Sequence, residues 1–421
     1  MKRLKKEEIL IILSLSFPII IENILQTLLG TTDTYFAGKL ADNAIAGISI
    51  TNIIMNISFF TAISIGTTAV VSRNYGKQDY KKTNQIIGQS ILVSIIIGLF
   101  VGLICLFFYR PILYISGADD SVLKFAIPYY LIVAVPSVFL CLQLVLSSCL
   151  RAIKDTKTPM YATVFSNILN ILLDMLFINL GMGVIGLALA TTISRIVGMF
   201  ILLFKLQHHD NRIYLSKNSF IINKEIISSL LFIGLPAGIE KIIMRVGQLI
   251  YNNMIISIGV SAYVAHNIAG TIESYAYIPA MGFGLAISTL IGISIGENNF
   301  KQATRSTWIG YFLACICMII IGLIFYIFAM PLASIFTSTK EVQFLVADVL
   351  RLIAFFQPFS ALVQVITSAL QGAGDTKFSM YSTFLGIWGI RLGLGYFLAI
   401  TLNYGLKGVW YAYALDLTIR G

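Results

Sequence analysis

The heptapeptide DTKTPMY at residues 155–161 recurs 220 residues later as DTKFSMY at residues 375–381. A second pair of segments, YGKQDYKK at 75–82 and IGENNFKQ at 295–302, is separated by the same 220 residues. Two separate segments that share one offset indicate an internal duplication. We therefore expect two halves of the chain to have the same fold.

The composition is that of a membrane protein. Hydrophobic residues make up 57% of the 421 residues and charged residues only 11%, whereas soluble domains carry about a quarter charged residues. A bilayer core of roughly 30 Å needs about 20 apolar residues per helix, and apolar runs of that length recur along the chain. Because these runs are continuous and do not alternate, they favour helices over a β-barrel. The fold class that we predict is an all-α polytopic membrane protein.

The apolar runs predict twelve transmembrane helices, six in each half. We expect them near residues 9–38, 44–72, 85–109, 121–149, 160–180, 184–206, 226–258, 263–293, 303–329, 341–369, 378–402 and 406–421. The last run is short for a full crossing, so we expect a short or truncated twelfth helix.

The predicted domains follow the duplication. Residues 1–206 form an N-terminal six-helix lobe, 207–225 a cytoplasmic linker and 226–421 a C-terminal six-helix lobe. Because six is even, both halves begin on the same side of the membrane, and the pseudo-two-fold axis lies along the membrane normal. Transporters with such repeats bind substrate near the bilayer midplane between the repeats, which suits alternating access.

The net charge of +10 is distributed over short loops and does not form one patch, so we expect no nucleic-acid partner. The basic residues concentrate in alternate loops, among them 2–6, 73–82 and 151–157. By the positive-inside rule the N-terminus is cytoplasmic. We expect a multi-pass protein of the cytoplasmic membrane.

Few ionisable residues fall within the predicted helices of the first half, and each is a functional candidate because charge is costly there. Asn170 and Asp174 are four residues apart on helix 5 and share one face. If helices 1 and 5 face the same cavity, Asp33 and Asp174 could share a proton or bind a small hard cation through oxygen ligands. In the alternative interpretation, Asn170 and Asp174 only form hydrogen bonds between helices.

The second half carries a different set of ionisable residues. Glu273 with Arg391 or Arg245 could form an ion pair, and a purely structural pair is the favoured interpretation. At an offset of 221 residues Asn170 corresponds to Arg391, so the halves have diverged in polarity. An ion site is therefore expected in one half only.

Motifs of other function classes are missing from the sequence. There is no G-x-x-x-x-G-K-[ST], H-E-x-x-H or CxxC pattern. We expect no cofactor and a gradient-driven transporter in place of an ATP-driven pump or an enzyme. A membrane-embedded transferase stays as a remote alternative.

The chain resembles the multidrug and toxic compound extrusion (MATE) family of secondary transporters from about Leu13 to its end. The segments that carry the resemblance are FPIIIENILQTLLGTTDTYFAGKLADNAIAG, LRAIKDTKTP, NILNILLDMLFI, GVIGLALATTISR, GLPAGIEKIIMRVGQLIYNNMIISIGVSAYVAHNIAG and LQGAGDTKFS. The resemblance implies a V-shaped pair of six-helix lobes in the lipid bilayer, monomeric, that exports amphipathic organic cations in exchange for H⁺ or Na⁺.

The resemblance also implies the cation-coupling residues. Gln26 and Asp33 match the family pattern on helix 1, Asn170 and Asp174 match it on helix 5, and Thr192 matches it on helix 6; Na⁺ would bind at Asp33, Asn170, Asp174 and Thr192. Other members use a carboxylate pair on helices 7 and 10. Here Glu240 lies too near the start of helix 7, and helix 10 has no acid at its middle.

The cargo is not fixed by the resemblance. The candidate residues of the substrate cavity are Tyr35, Gln143, Met244, Glu273, Gln364 and Arg391. Because the second half carries arginine, the alternative function is that of the related flippases for lipid-linked or anionic amphiphilic cargo.

Overall fold

The computed structural model describes residues 2–55, 58–208 and 212–421, and every regular element in these ranges is a helix. The predicted all-α class is therefore confirmed. The first half contains α1 (Lys2–Gly38), α2 (Asp42–Met55), α3 (Ser58–Gly76), α4 (Tyr80–Phe107), α5 (Tyr109–Ile115), α6 (Asp120–Ala134), α7 (Ser137–Ala152), α8 (Lys157–Asn179) and α9 (Gly183–Gln207).

The second half repeats this order. It contains α10 (Lys224–Ile258), α11 (Val260–Ala276), α12 (Ile278–Gly296), α13 (Phe300–Ile327), α14 (Ala329–Phe336), α15 (Lys340–Ala354), α16 (Gln357–Ala373), α17 (Thr376–Phe384) and α18 (Gly405–Arg420). After α17 the chain continues as π-helix over Leu385–Leu394 and Phe397–Thr401.

The duplication is visible in the helix boundaries. Helices α4 and α13 both have 28 residues and begin at Tyr80 and Phe300, which are 220 positions apart. The short helices α5 and α14, which the hydrophobic pattern did not predict, begin at Tyr109 and Ala329, again 220 positions apart. The offset read from two loops therefore holds for whole helices.

Eleven of the twelve predicted spans are long enough to cross a bilayer. Within the described residues nine helices pass by length and hydropathy, and two bent pairs bring the number to eleven. The bent pairs are α6 with α7, at 49°, and α15 with α16, at 61°. Helix α18 has only 16 residues, fewer than the roughly 20 that a straight crossing requires.

The chain divides into two compact units. The N-terminal unit is Ile21–Leu235, and the C-terminal unit is the chain up to Ile20 together with Pro236–Gly421. The predicted boundaries at 206 and 226 follow the sequence repeat, whereas the unit boundaries fall inside α1 and α10. Each lies within three residues of Pro18 or Pro236, where proline removes a helical hydrogen bond.

Close packing assigns each piece of the two divided helices to its unit. Ile12, Leu15 and Ile19 of α1 belong to one buried cluster with Phe283 and Ile287 of α12. In the N-terminal unit Gly234 of α10 packs against α3: a Cβ on Gly234 would lie 2.8 Å from the carbonyl oxygen of Ala62. Only glycine allows the two backbones to come so close.

Candidate functional site

Asp33 is buried in the N-terminal unit, with 1% of its surface exposed. Its Oδ2 accepts a hydrogen bond of 2.5 Å from the Tyr129 hydroxyl of α6 and one of 2.7 Å from the Thr191 hydroxyl of α9. The carboxylate thus joins three helices. The hydroxyl donors stabilise its charge without a direct ion pair.

Asn170 and Asp174 lie beside this carboxylate on α8, and both are fully buried. The Asn170 amide donates to the Thr191 hydroxyl at 3.4 Å, and Asp174 interacts electrostatically with Asp33. The structure therefore brings Asp33, Asn170 and Asp174 close together. We call Asp33, Tyr129, Asn170, Asp174 and Thr191 the Asp33 cluster.

Four oxygen atoms of the Asp33 cluster have no hydrogen-bond donor within the described protein. They are Oδ1 of Asp33, Oδ1 of Asn170 and both carboxylate oxygens of Asp174. Buried polar atoms are rarely left without partners because each costs free energy. A proton or a hard cation is the kind of ligand that such an all-oxygen set accepts.

A positive charge lies next to the cluster. Arg195, one helical turn after Thr191 on α9, interacts electrostatically with Asp33 and Tyr129. Arg195 lies within the predicted sixth helix, residues 184–206, where a charged side chain is costly. Its position offsets part of the negative charge of the two carboxylates.

Thr191 occupies the position that the resemblance gave to Thr192. The Thr192 hydroxyl donates instead to the backbone carbonyl of Ile132 on α6, at 2.9 Å. Neighbouring residues on a helix point about 100° apart, so only one of the two can face Asp33. Tyr129 was also missed, because a tyrosine in an apolar run carries no signal that it binds a carboxylate.

Gln26 lies in a different cluster from Asp33. Its amide donates to Glu22 at 3.4 Å, and Glu22 in turn forms an ion pair of 3.1 Å with Arg151 of α7. The side chain of Glu22 is fully buried and that of Arg151 is 10% exposed. Gln26 therefore lies beside a buried ion pair and is not a direct partner of Asp33.

The C-terminal unit contains a cavity of about 350 Å³, which we call the C-terminal cavity. Met244, Glu273, Gln364 and Arg391, four of the six candidate substrate residues, line it. The volume falls within the range of small-molecule sites. The sequence thus grouped residues from four helical segments that the fold brings together.

The arginines of the C-terminal cavity are paired with one buried acid, Asp416. It forms ion pairs with Arg391 and, at 2.8 Å, with Arg420, and it is fully buried. Asp416 lies in the short last helix, α18, and is not among the candidate residues predicted from the sequence. Arg391 lies in the π-helical segment Leu385–Leu394, an element that is frequent at functional sites.

The two acids that line the C-terminal cavity are bound by hydroxyl groups. Glu273 accepts from the Tyr413 hydroxyl at 2.6 Å, and Glu240 accepts from Ser379 at 2.7 Å and Thr383 at 3.2 Å. The Arg391 guanidinium lies 4.0 Å from the Tyr413 ring centroid. Glu273 and Arg391 therefore share Tyr413 as a neighbour, while the ion-pair partner of Arg391 is Asp416.

The two other candidates, Tyr35 and Gln143, belong to the N-terminal unit and are not lining residues of the C-terminal cavity. Tyr35 is 62% exposed, with the Lys39 ammonium 4.7 Å from its ring centroid. The Gln143 amide packs near Gly198 of α9, 3.1 Å from where a Cβ of that glycine would lie.

A doubled helical membrane fold with a buried acidic cluster in one half and a polar cavity in the other defines a polytopic transporter. The family model for MatE matches residues 18–176 and 236–397, one match in each half. The chain therefore belongs to the MATE family of transporters, as the resemblance predicted, and not to the enzymes.

Similar proteins span nearly the whole chain. A relative from Thermotoga maritima described as a probable multidrug resistance protein NorM is 30% identical over 97% of this chain and 89% of its own length. The uncharacterized transporter YisQ of Bacillus subtilis is 28% identical over 97% of this chain and 91% of its own.

Solved structures share the fold. A MATE crystal structure in the bent conformation has a TM-score of 0.92 and 22% identity, covering 97% of this chain and 92% of its own. A transporter of the MOP superfamily from Pyrococcus furiosus, described as having a binding pocket of reverse polarity, has a TM-score of 0.91 and 23% identity over 98% and 93%.

Proposed function

We propose that this protein is a secondary antiporter that exports amphipathic organic cations in exchange for H⁺ or Na⁺. The observation that carries the proposal is the Asp33 cluster, in which two buried carboxylates and an amide leave four oxygen atoms without donors. The coupling cation is bound there and released as the transporter alternates its access. The relative from Thermotoga maritima, described as a probable multidrug resistance protein, supports export as the direction of transport.

The Asp33 cluster is suited to coupling because its charge depends on occupancy. Empty and ionised, it holds two carboxylates in a buried site; with H⁺ or Na⁺ bound, the repulsion between Asp33 and Asp174 is reduced. Since Asp33, Asp174 and Thr191 lie on different helices, a change in that repulsion shifts the preferred packing of α1 against α8 and α9. Ion occupancy is thereby linked to helix position.

The C-terminal cavity supports an organic cation as substrate. Both arginines form ion pairs with Asp416, whereas the hydrogen bonds that Glu240 and Glu273 accept come from the hydroxyl groups described above. Among the other lining residues are the aromatic side chains of Tyr251, Tyr277, Trp410 and Tyr413. Carboxylates among aromatic rings attract amphipathic cations through charge and cation–π interactions.

The second candidate function is a flippase for lipid-linked or anionic amphiphilic cargo. The observation in its favour is that Lys241, Arg391 and Arg420 all line the C-terminal cavity. It ranks second because Asp416 is paired with both arginines and offsets one of their two positive charges, and because Glu240 and Glu273 add two acids to the lining. An anionic cargo would first have to displace Asp416 from them.

By the positive-inside rule, the N-terminus of the protein lies on the cytoplasmic side of the cytoplasmic membrane. The protein acts there as a monomer. Labelling of a single cysteine introduced at Lys77 or at Lys340 from one side of sealed vesicles tests the orientation. Under this orientation a membrane-impermeant reagent that enters only from the outside labels the Lys340 position and not the Lys77 position.

Efflux from proteoliposomes tests the function. Wild-type protein and Asp174→Asn are reconstituted with a fluorescent organic cation, and an imposed pH gradient and an imposed Na⁺ gradient are compared. Asp119→Asn is the matched control, since Asp119 is an acid outside the spans that caps α6.

We expect one gradient to drive efflux in the wild type and in Asp119→Asn, and Asp174→Asn to lose it. Equal efflux by Asp174→Asn and wild type under the driving gradient contradicts coupling at the Asp33 cluster. No efflux of cations under either gradient, together with movement of an anionic amphiphile, favours the flippase.

A further inference from the structure

A second cavity, of about 760 Å³, lies at one end of the N-terminal unit and is unrelated to the Asp33 cluster. Four basic residues line it: Arg73 and Lys77 at the end of α3, and Lys81 and Lys82 at the start of α4. We call these four residues and the cavity they line the basic pocket. Its lining also includes two acids, Asp79 and Glu225, so the charge of the pocket is positive.

One of the two acids is engaged by a helix end. The Asp79 side chain caps α4 by accepting from the backbone N–H of Lys82 at 3.0 Å. Its negative charge is therefore directed to the N-terminus of α4, where it is stabilised. Among the lining residues, Lys77, Lys81 and Lys82 are then accompanied by one further acid, Glu225.

The other wall of the basic pocket is apolar. Val70, Ile226, Phe232 and Ile233 line it, and Phe232 is 60% exposed. Helices α3, α4 and α10 all belong to candidate membrane spans that end here, so the pocket lies where membrane meets water. A ligand that fills it has an anionic group and an apolar chain.

The walls of the basic pocket are fixed by hydrogen bonds. Gln89 of α4 donates to the Ile221 carbonyl at 2.7 Å and accepts from the Asn223 backbone N–H at 3.2 Å. The Asn223 side chain caps α10 by accepting from the backbone N–H of Glu225 at 3.0 Å. The segment before α10 is thereby held along α4, and the pocket is formed before any ligand arrives.

The repeated half shows that the turn does not need its basic residues. The Asp79 N–H donates to the Asn74 carbonyl at 3.2 Å, and the equivalent Asn299 N–H donates to the Ser294 carbonyl at 2.8 Å. Gln78 and its equivalent Asn298 both have positive φ angles, 58° and 57°. The same turn thus forms twice.

The charges of the two turns differ although their backbones agree. At the 220-residue offset Arg73, Lys77 and Lys82 are replaced by Ile293, Glu297 and Gln302, and only Lys81 is retained as Lys301. Since the second turn folds without a basic residue at the positions of Lys77 and Lys82, folding of the turn does not account for these two lysines.

We propose that the basic pocket binds the phosphate headgroup of an anionic phospholipid, with an acyl chain along Phe232 and its apolar neighbours. Clusters of basic residues at the membrane surface attract anionic lipids, and a phosphate diester accepts several charge-assisted hydrogen bonds. A lipid there bridges α3, α4 and α10, and so stabilises the N-terminal unit at the point where α10 leaves it.

The experiment is a lipid titration of the purified, delipidated full-length protein, followed by native mass spectrometry. The probes are dioleoyl phosphatidylglycerol, dioleoyl phosphatidylcholine and glycerol 3-phosphate. The variant is Lys77→Gln/Lys81→Gln/Lys82→Gln. The matched control, Lys124→Gln/Lys301→Gln/Lys340→Gln, removes the same number of charges elsewhere and includes the retained lysine of the second turn.

We expect phosphatidylglycerol to bind the wild type and the control alike, and the pocket variant to bind it about tenfold or more weakly, because each basic residue at a surface adds to the attraction. Phosphatidylcholine should bind weakly to all three proteins. Phe232→Ser should weaken binding of phosphatidylglycerol and leave any binding of glycerol 3-phosphate unchanged.

Three results overturn the proposal. If the control variant loses as much affinity for phosphatidylglycerol as the pocket variant, the effect is one of overall charge. If the wild type binds phosphatidylcholine as tightly as phosphatidylglycerol, the headgroup charge is not recognised. Glycerol 3-phosphate binding as tightly as the lipid assigns the pocket to soluble phosphate compounds. If the triple variant does not fold, Lys77→Gln and Lys82→Gln are tested singly against Lys301→Gln.

Discussion

The hydroxyl of Thr191 donates a hydrogen bond of 2.7 Å to a carboxylate oxygen of Asp33 and accepts one of 3.4 Å from the side-chain amide of Asn170. One hydroxyl group therefore connects α1, α8 and α9 at the centre of the Asp33 cluster. Its neighbour in sequence, Thr192, hydrogen-bonds a backbone carbonyl on α6. The two threonines offer a direct comparison of a site residue with a packing residue.

Thr191→Val should change coupling-ion binding by about tenfold, because a hydrogen bond to a charged group contributes roughly 1.5–3 kcal/mol. A coupling proton should bind more tightly, since ionised Asp33 loses a donor that stabilises its charge, whereas Na⁺ should bind more weakly, since its site loses an oxygen atom. Thr192→Val has the same change in shape and should stay within about twofold of wild type, since its bond is to a neutral carbonyl. The measurement is the ion concentration that gives half-maximal efflux. A larger effect of Thr192→Val would assign the site to that residue.

Asp33→Asn and Asp174→Asn should each abolish ion-driven efflux, and the double variant should be no worse than either. Residues that act as a unit show such non-additivity. The measurement is the initial rate of efflux for the two single variants and the double variant. If the fold-loss of rate in the double variant equals the product of the fold-losses in the two single variants, the two carboxylates act separately.

Glu22→Gln should destabilise the protein by roughly 3–5 kcal/mol, because it leaves the buried Arg151 without its charge partner. Thermal unfolding in detergent measures the loss. Glu22→Gln/Arg151→Met should recover at least half of it, since an apolar replacement of both partners removes the unpaired charge.

The control for this ion pair is Asp348→Asn. Asp348 and Lys407 are 3.0 Å apart, but their side chains are 42% and 56% exposed. Exposed pairs contribute about 0–1 kcal/mol, so the unfolding temperature should hardly change. A similar loss in both variants would mean that burial of Glu22 is not what makes its pair important.

Asp416→Asn should change the preference of the C-terminal cavity from cations to anions. The substitution removes the negative charge that pairs with Arg391 and Arg420, so that both guanidinium groups can bind an anion in the cavity. Equilibrium binding of a fluorescent organic cation and an organic anion to the purified variant measures the change. We expect weaker binding of the cation and stronger binding of the anion, and an unchanged ratio would place the substrate elsewhere.

Gly234→Ala should destabilise the N-terminal unit by about 1–3 kcal/mol, since the added methyl group overlaps the Ala62 carbonyl. Gly270→Ala on α11 is the matched control, because a Cβ there meets nothing within 4 Å. Replacing a helical glycine by alanine in open space should be neutral or stabilise by up to about 1 kcal/mol. Thermal unfolding of the two variants gives the comparison.

The hydrophobic pattern of the sequence was sufficient to predict the transmembrane helices, but it did not predict the points at which they are interrupted. Predicted helix 8, residues 263–293, is divided at Tyr277 into α11 and α12. Hydropathy does not show this break because both pieces are apolar, but Pro279, at the start of α12, does indicate an interruption. The same holds for the unit boundaries. Whether the start of α1 packs with its own half or with the other depends on contacts such as those of Ile12 and Ile19 with α12, which no local pattern encodes.

The candidate site shows a similar division. Asp33, Asn170 and Asp174 could be selected from the sequence because charge and amide groups are costly within a membrane. Tyr129 and Asp416 could not be assigned. A tyrosine in an apolar run is compatible with many environments, and Asp416 lies in a helix that was too short to be recognised as a crossing.

The sequence by itself determined the doubled six-helix plan, the membrane class and the rare buried acids, because hydropathy and repeat offset are properties of the chain alone. Only the tertiary structure decided which threonine faces Asp33, which acid pairs with Arg391 and which basic residues line the basic pocket. These depend on how helices far apart in sequence rotate and pack against one another. Packing depends on the shapes of the side chains in the whole unit. Because successive residues of a helix point about 100° apart, a rotation of the helix by that angle replaces one residue at a contact by its neighbour in sequence.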